Sequence, residues 1–184
     1  MIIGSLKGWL FVREKAMNRG TIICFLIFLL VLQGTMYSEM PSDSHEAQTT
    51  TCTFDDGKEV SVKYKAASIK NDKMQDGKPW TPGHAPMFLF TSAPLRIGEG
   101  DVPVGAYSMF VIPGRKQWIL IVNRSTTGEK YEQSQDLARV PMDLGTLGSA
   151  EKEISVVFGH LGPKQCSLRI YYGTFGAFAE IHEQ

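Results

Sequence analysis

Two apolar runs rich in β-branched and aromatic residues, Val102–Ile112 and Trp118–Val122, flank the polar tetrapeptide Pro113-Gly114-Arg115-Lys116. Proline presets φ for a turn and the following glycine can take a positive φ, so this stretch predicts a β-hairpin. Tyr107, Met109 and Val111 fall on one face of its first strand, and Ala106, Phe110 and Ile112 on the other. In the second strand Trp118, Leu120 and Val122 alternate with Ile119 and Ile121. A strand that is apolar on both faces is covered on both, which predicts that this hairpin lies in the middle of a sheet.

Elsewhere the pattern is strict alternation, the mark of strands with one dry and one wet face. Val60, Val62 and Tyr64 alternate with Ser61, Lys63 and Lys65 after an Asp55-Asp56-Gly57-Lys58 turn. Ile154, Val156 and Phe158 do so later, as do Cys166, Leu168, Ile170 and Tyr172, and then Phe175, Ala177, Ala179 and Ile181. Met87–Thr91 and Leu137–Met142 read as further strands, Pro94–Ile97 as a short edge piece, and Pro141 sets a strand end at an edge. No segment has a helical period. Eight or nine short strands with a turn signal about every ten residues predict an all-β fold, a single antiparallel β-sandwich of jelly-roll or immunoglobulin type, with a closed barrel as the alternative.

The alternation lapses twice, over residues 66–86 and 124–136, and long polar loops in compact domains are often functional. The first ends in Trp80-Thr81-Pro82-Gly83-His84. Trp80, Tyr131, Tyr171 and Phe178 occupy positions that periodicity does not assign to the core. Exposed aromatics on a β scaffold stack on sugar rings or anchor a partner; the alternative is that they pack beneath the loops.

The N-terminal part carries a different pattern. Arg19 precedes the unbroken apolar run 22–32, too short to span a bilayer but suited to a signal peptide. Residues 1–38 are therefore expected to be a leader, with the true start at Met17 and cleavage near Ser38; an uncleaved membrane anchor is the alternative. No cysteine stands where lipid attachment needs one. Residues 39–50 read as a polar tether, and a single domain is expected over 51–184. The leader holds Lys7, Arg13, Lys15 and Arg19 against Glu14 alone, so without it 15 basic and 18 acidic residues leave a net charge of −3. A mildly acidic domain with no basic cluster offers no footprint for nucleic acid or for an anionic membrane. Cys24 departs with the leader, leaving Cys52 and Cys166, which in an exported domain predict one disulfide, with two separate buried thiols as the alternative.

Candidate chemistry is thin. No nucleophile elbow, zinc-protease helix, phosphate loop or dinucleotide fingerprint occurs, so no catalytic residue and no cofactor is assigned. His45, His84, His160 and His182 lack metal-ligand spacing; His160 is expected to close a hairpin and His182 to lie on a polar strand face. Asp55/Asp56 and Glu151/Glu153 read as solvated charges. Asn123-Arg124-Ser125 is formally a glycosylation sequon; otherwise Asn123 ends its strand.

The hairpin from Val102 to Asn123 resembles the Leu-Pro-Ala-Gly-Thr-Tyr-Ser-Leu-Phe-x-Ile-Pro-Gly…Trp…Ile-x-Asn signature of an exported bacterial family, the domain of unknown function numbered 2911. The likeness runs from about Lys78 to Leu147, and Asp136-Leu-Ala-Arg139-Val matches the family's Asp-x-x-Arg-Val segment. The family's polar motif, Trp-Arg-x-Gly-Ala-Asn-Glu-Ala-Thr, keeps Trp80 and Gly83 here but has Thr81, Ala85 and Pro86 in place of Arg, Asn and Glu. The resemblance implies export and an all-β fold, and brings no activity. Together these features point to a non-enzymatic module binding an envelope ligand or protein through the two loops, with Trp80, Gly83, His84, Tyr131, Asp136 and Arg139 as binding candidates. An enzyme acting on envelope glycans through His84 or Asp136, and a structural envelope protein, are the other readings.

Overall fold

The computed structural model describes residues 46–184; the expected leader, its alternative start and the first part of the tether lie outside them. Twelve strands stand where eight or nine were expected: β1 (Ala47–Thr53), β2 (Glu59–Lys65), β3 (Ala67–Ser68), β4 (Met87–Thr91), β5 (Leu95–Ile97), β6 (Gly100–Val102), β7 (Gly105–Ile112), β8 (Trp118–Asn123), β9 (Asp136–Thr146), β10 (Glu153–Gly162), β11 (Gln165–Tyr172) and β12 (Phe175–Glu183). Beyond those expected, β3 and β6 are two- and three-residue pieces whose pairing comes from their neighbours rather than from any pattern of their own, and β1 is a seven-residue strand. β1 begins at Ala47, inside the expected tether, because residues 47–50 complete the ladder with Tyr64 and its neighbours.

All pairings are antiparallel, and hydrogen bonding runs unbroken through the order β1-β2-β4-β7-β8-β9-β12-β11-β10-β3. One curled sheet, a half-barrel, therefore stands where two packed sheets were expected. The predicted hairpin is β7–β8, near the middle of that path, with Val111 opposite Leu120. Its inner face feeds a core of Met109, Val111, Trp118, Leu120 and Val122 together with Leu89, Val62, Leu168 and Ile170. Pro141 lies within β9 opposite Ile119, but β12 joins β9 only from Asp143 onward. The missing N–H thus falls on a stretch where one side of β9 has no ladder from β12.

The curl brings the start of the sheet against its far side. Cys52 on β1 and Cys166 on β11 form a disulfide, and Phe158 N–H of β10 donates to Thr50 Oγ1 at 3.2 Å. The β1–β2 turn joins the seam, with Asp55 N–H donating to the Pro163 carbonyl and Lys58 Nζ reaching the buried carboxylate of Glu183 at 2.7 Å. Lys58 also bonds Asp56. These bonds hold the Asp56 carboxyl down at about 2, chiefly through the Lys58 ammonium and then its backbone N–H. The Lys58 ammonium is lifted to about 12 by Asp56 and then by Glu183.

Asp56 is lowered on folding, so it stabilises above its ordinary value and loses that contribution as pH falls toward 2. Lys58 is raised, so it stabilises below its ordinary value and loses that as pH climbs toward 12. Lys58→Met is therefore expected to lower the melting temperature by an amount that is flat between about pH 5 and 9 and shrinks as the solution is acidified below about 3. A calorimetric pH series on both proteins checks this; a gap that widens in acid would contradict it. His160, expected to close a hairpin, instead lies within β10 opposite Cys166 and pairs with Asp55 at 3.4 Å.

Candidate functional site

The two polar loops are built differently from what their composition suggests. The first is pinned along β7 beyond the end of β4. Trp80 and Val111 exchange both backbone hydrogen bonds, at 2.7 and 2.9 Å, and Gly77 N–H donates to the Pro113 carbonyl. Trp80 is 4% exposed and packs edge-on against Trp118 and Tyr172. Its ring is part of the core, so it is the packed alternative rather than an open stacking platform.

A buried indole N–H needs an acceptor, and the residue that supplies it is Asp72, which sequence reasoning passed over. Asp72 is 2% exposed. Its Oδ1 accepts from Trp80 Nε1 at 2.8 Å and lies 3.2 Å from His84 Nε2, while its Oδ2 accepts from Gly83 N–H at 2.6 Å. Its backbone carbonyl accepts from Tyr172 Oη at 2.6 Å. Burial, and then the negative charge of Asp72, push the Tyr172 phenol above its ordinary range, which keeps it a donor. The Pro82–His84 turn presents these groups through two consecutive left-handed residues, Gly83 (φ 64°) and His84 (φ 50°). A histidine at positive φ is held there against its preference by the surroundings. Its side chain is 60% exposed and its Nε2 faces Asp72, so Nδ1 is the nitrogen left for a ligand.

The second loop is organised by Asn123 and Asp136. Asn123 is fully buried; its Nδ2 donates to the Glu132 carbonyl and to Asp136 Oδ1, and its Oδ1 accepts from Ser125 N–H. A side chain so enclosed does not serve as a glycan acceptor. Asp136 Oδ2 accepts from Tyr131 Oη at 2.8 Å and from Arg139 Nη1 at 3.2 Å, and Arg139 also donates to Tyr131 Oη at 2.7 Å. Burial, followed by the hydrogen bond to Asp136, raises the Tyr131 phenol, so it stays protonated and donating. Both oxygens of Asp136 are thus committed to the loop, which leaves it poorly placed to act as a free carboxylate on a substrate. The ring of Tyr131 meets Phe110 edge-on at 5.3 Å.

The loops touch at Gly128, whose φ is +65° and whose added Cβ would lie 2.8 Å from Pro86 Cβ. Between them runs a cleft of about 410 Å³, walled by Pro79, Trp80, Thr81, His84, Ala85 and Pro86 on one side and by Gly128, Glu129 and Tyr131 on the other, with Phe110 also in its lining. Of the sequence-selected residues, Trp80, His84 and Tyr131 line it. Gly83 lies behind His84 against Asp72, and Asp136 with Arg139 brace Tyr131. Phe110, Gly128 and Glu129 were not singled out, since nothing local marks them. Tyr171 and Phe178 pack on each other instead, with the Phe178 ring over Gly145 and Gly176. His84 and His160 are held by different carboxylates, and among the described residues no group of three or more His, Cys, Asp or Glu side chains gathers as a metal site.

A family model described as "Protein of unknown function (DUF2911)" matches residues 44–179. No curated protein and no solved structure matches the chain.

Proposed function

The chain belongs to the DUF2911 family, and from that premise, which carries no activity with it, we propose that it is an exported binding module whose ligand sits in the cleft between the two loops. The observation that supports this reading is the cleft itself. Residues 79–86 and 128–131 are remote in sequence, and they form its opposing walls. Its chemistry narrows the ligand. His84 Nε2 lies 3.2 Å from Asp72, leaving Nδ1 as the nitrogen that can meet a ligand, and Glu129 adds an exposed carboxylate acceptor. Pro79, Trp80, Pro86 and Phe110 provide apolar lining beside them. Acceptors alongside apolar walls suit a neutral, hydroxyl-rich ligand such as a short glycan and disfavour an anion. Export is supported by the Cys52–Cys166 disulfide, a bond that persists in oxidising compartments.

Thermal unfolding against neutral oligosaccharides tests the proposal. A ligand at 100 times its dissociation constant should stabilise the fold by about 2.7 kcal/mol, a rise of several degrees. Glu129→Gln, on an exposed side chain, is expected to cut that affinity about tenfold while leaving the unliganded melting temperature unchanged. A flat panel, or a glycan shift indifferent to Glu129→Gln, would move the reading to a protein partner or a structural role.

A second reading, hydrolysis with His84 as a general base oriented by Asp72, is favoured by the strained backbone at His84 and by the buried carboxylate behind it. Glycan turnover that His84→Ala abolishes while binding persists would establish it. Binding without turnover leaves the module reading in place.

A further inference from the structure

We propose a second, separate binding site at the mouth of the curled sheet, one that takes a small amphiphile with a linear apolar tail and an anionic head. The site is a cavity of about 320 Å³ lined by Met74, Pro113, Trp118, Leu144, Tyr172 and Phe175, with Gly114, Asp76 and Arg115 completing the lining. It shares no lining residue with the cleft between the loops. Its walls come from elements far apart in sequence: the pinned first loop, the β7–β8 turn, β8, β9 and the β11–β12 hairpin.

Two features point to an apolar tail. Trp118 and Tyr172 are aromatic walls, and the polar end of Tyr172 is already spent on the Asp72 carbonyl, leaving its ring for the cavity. Phe175 is 52% exposed beside that hairpin turn, an apolar ring left in water unless something covers it. The anionic head follows from charge. Arg115 is 92% exposed, held only by a 3.3 Å contact to Asp76, and Lys116 follows it. Of these charges Arg115 and Asp76 line the cavity, and a guanidinium this free can turn from Asp76 to grip a ligand carboxylate in bidentate fashion. Apolar depth with a small number of charged groups at the entrance is the general form of a small-molecule site.

The test titrates the full chain with octanoate and with 1-octanol, following tryptophan fluorescence and amide chemical shifts. Octanoate is expected to bind saturably at one molecule per chain, shifting the amides of Met74, Leu144 and Phe175. Arg115→Gln should weaken octanoate about tenfold and leave octanol unchanged. Leu144→Trp, which fills the cavity from a half-buried position, should abolish both; if that variant fails to fold, the shift map of the wild-type protein carries the decision. No saturable binding, shifts confined to the cleft between the loops, or an Arg115→Gln effect that is equal for both probes would each overturn the proposal. Glu129→Gln should leave octanoate binding intact, so this site and the glycan cleft fail or stand independently.

Discussion

Asp72→Ala is expected to lower the melting temperature by about 10–20 °C. The buried carboxylate accepts from the Trp80 indole N–H and the Gly83 amide and faces the exposed His84 ring at 3.2 Å. Stranding a buried donor costs about 1–3 kcal/mol, and at least two are stranded here, so the loss is about 3–5 kcal/mol. Each kcal/mol is worth about 3–5 °C in a domain of this size. Asn is not a rescue, since its amide nitrogen would face one of the same donors. Asp76→Ala, four residues on and exposed, is the matched control and should change little. Differential scanning calorimetry on the two variants decides it. If they melt together, Asp72 is not what holds the loop. The variant should also release His84 from its left-handed conformation, because two of the contacts that fix the turn end on that carboxylate.

Removal of the disulfide is the second large effect. Cys52 and Cys166 are 114 residues apart, and closing a loop that long restricts the unfolded chain by about 4–5 kcal/mol. Cys52→Ala/Cys166→Ala is expected to melt about 12–20 °C below the parent. The unliganded fold should otherwise persist, because the Thr50–Phe158 and Lys58–Glu183 contacts hold the same seam. Calorimetry of the parent with reductant should reproduce the variant. A parent insensitive to reductant, or a variant as stable as the parent, would place the seam's stability in the packing of β1 against β10 instead.

The β7–β8 hairpin was readable because everything that specifies it is local: a proline and a glycine between two runs apolar on both faces. β10, β11 and β12 were readable for the same reason, since alternation reports which face is dry; the exception is Phe175 at the start of β12, which is 52% exposed because it stands beside the β11–β12 turn. Alternation does not report which strand lies alongside, and so the single curled sheet was not distinguishable from two packed ones. β3 and β6 have too few residues to carry a period, and their partners alone make them strands, whereas β5 falls where a short edge piece was expected at Pro94–Ile97.

At the candidate site, the composition of the two loops drew attention to Trp80, His84 and Tyr131, and the structure sets all three along one cleft. Periodicity left Trp80 open between an exposed aromatic and one packed beneath its loop, and the structure packs it in the core. Asp72 was indistinguishable from the other charges around it, since its partners lie 8 residues away at Trp80 and 100 away at Tyr172. Its one clue was indirect: a tryptophan packed under a loop must find an acceptor for its N–H.

The sequence by itself determined the all-β class, the central hairpin, the faces of the longer strands and the family, because each depends on residues close together or on a pattern repeated along the chain. Tertiary structure alone decided that the sheet curls, that the two polar loops meet at Gly128 and Pro86, and that Asp72 and Asn123 are interior. Those outcomes depend on register between strands scores of residues apart, where a polar residue's fate is set by what the fold brings to it.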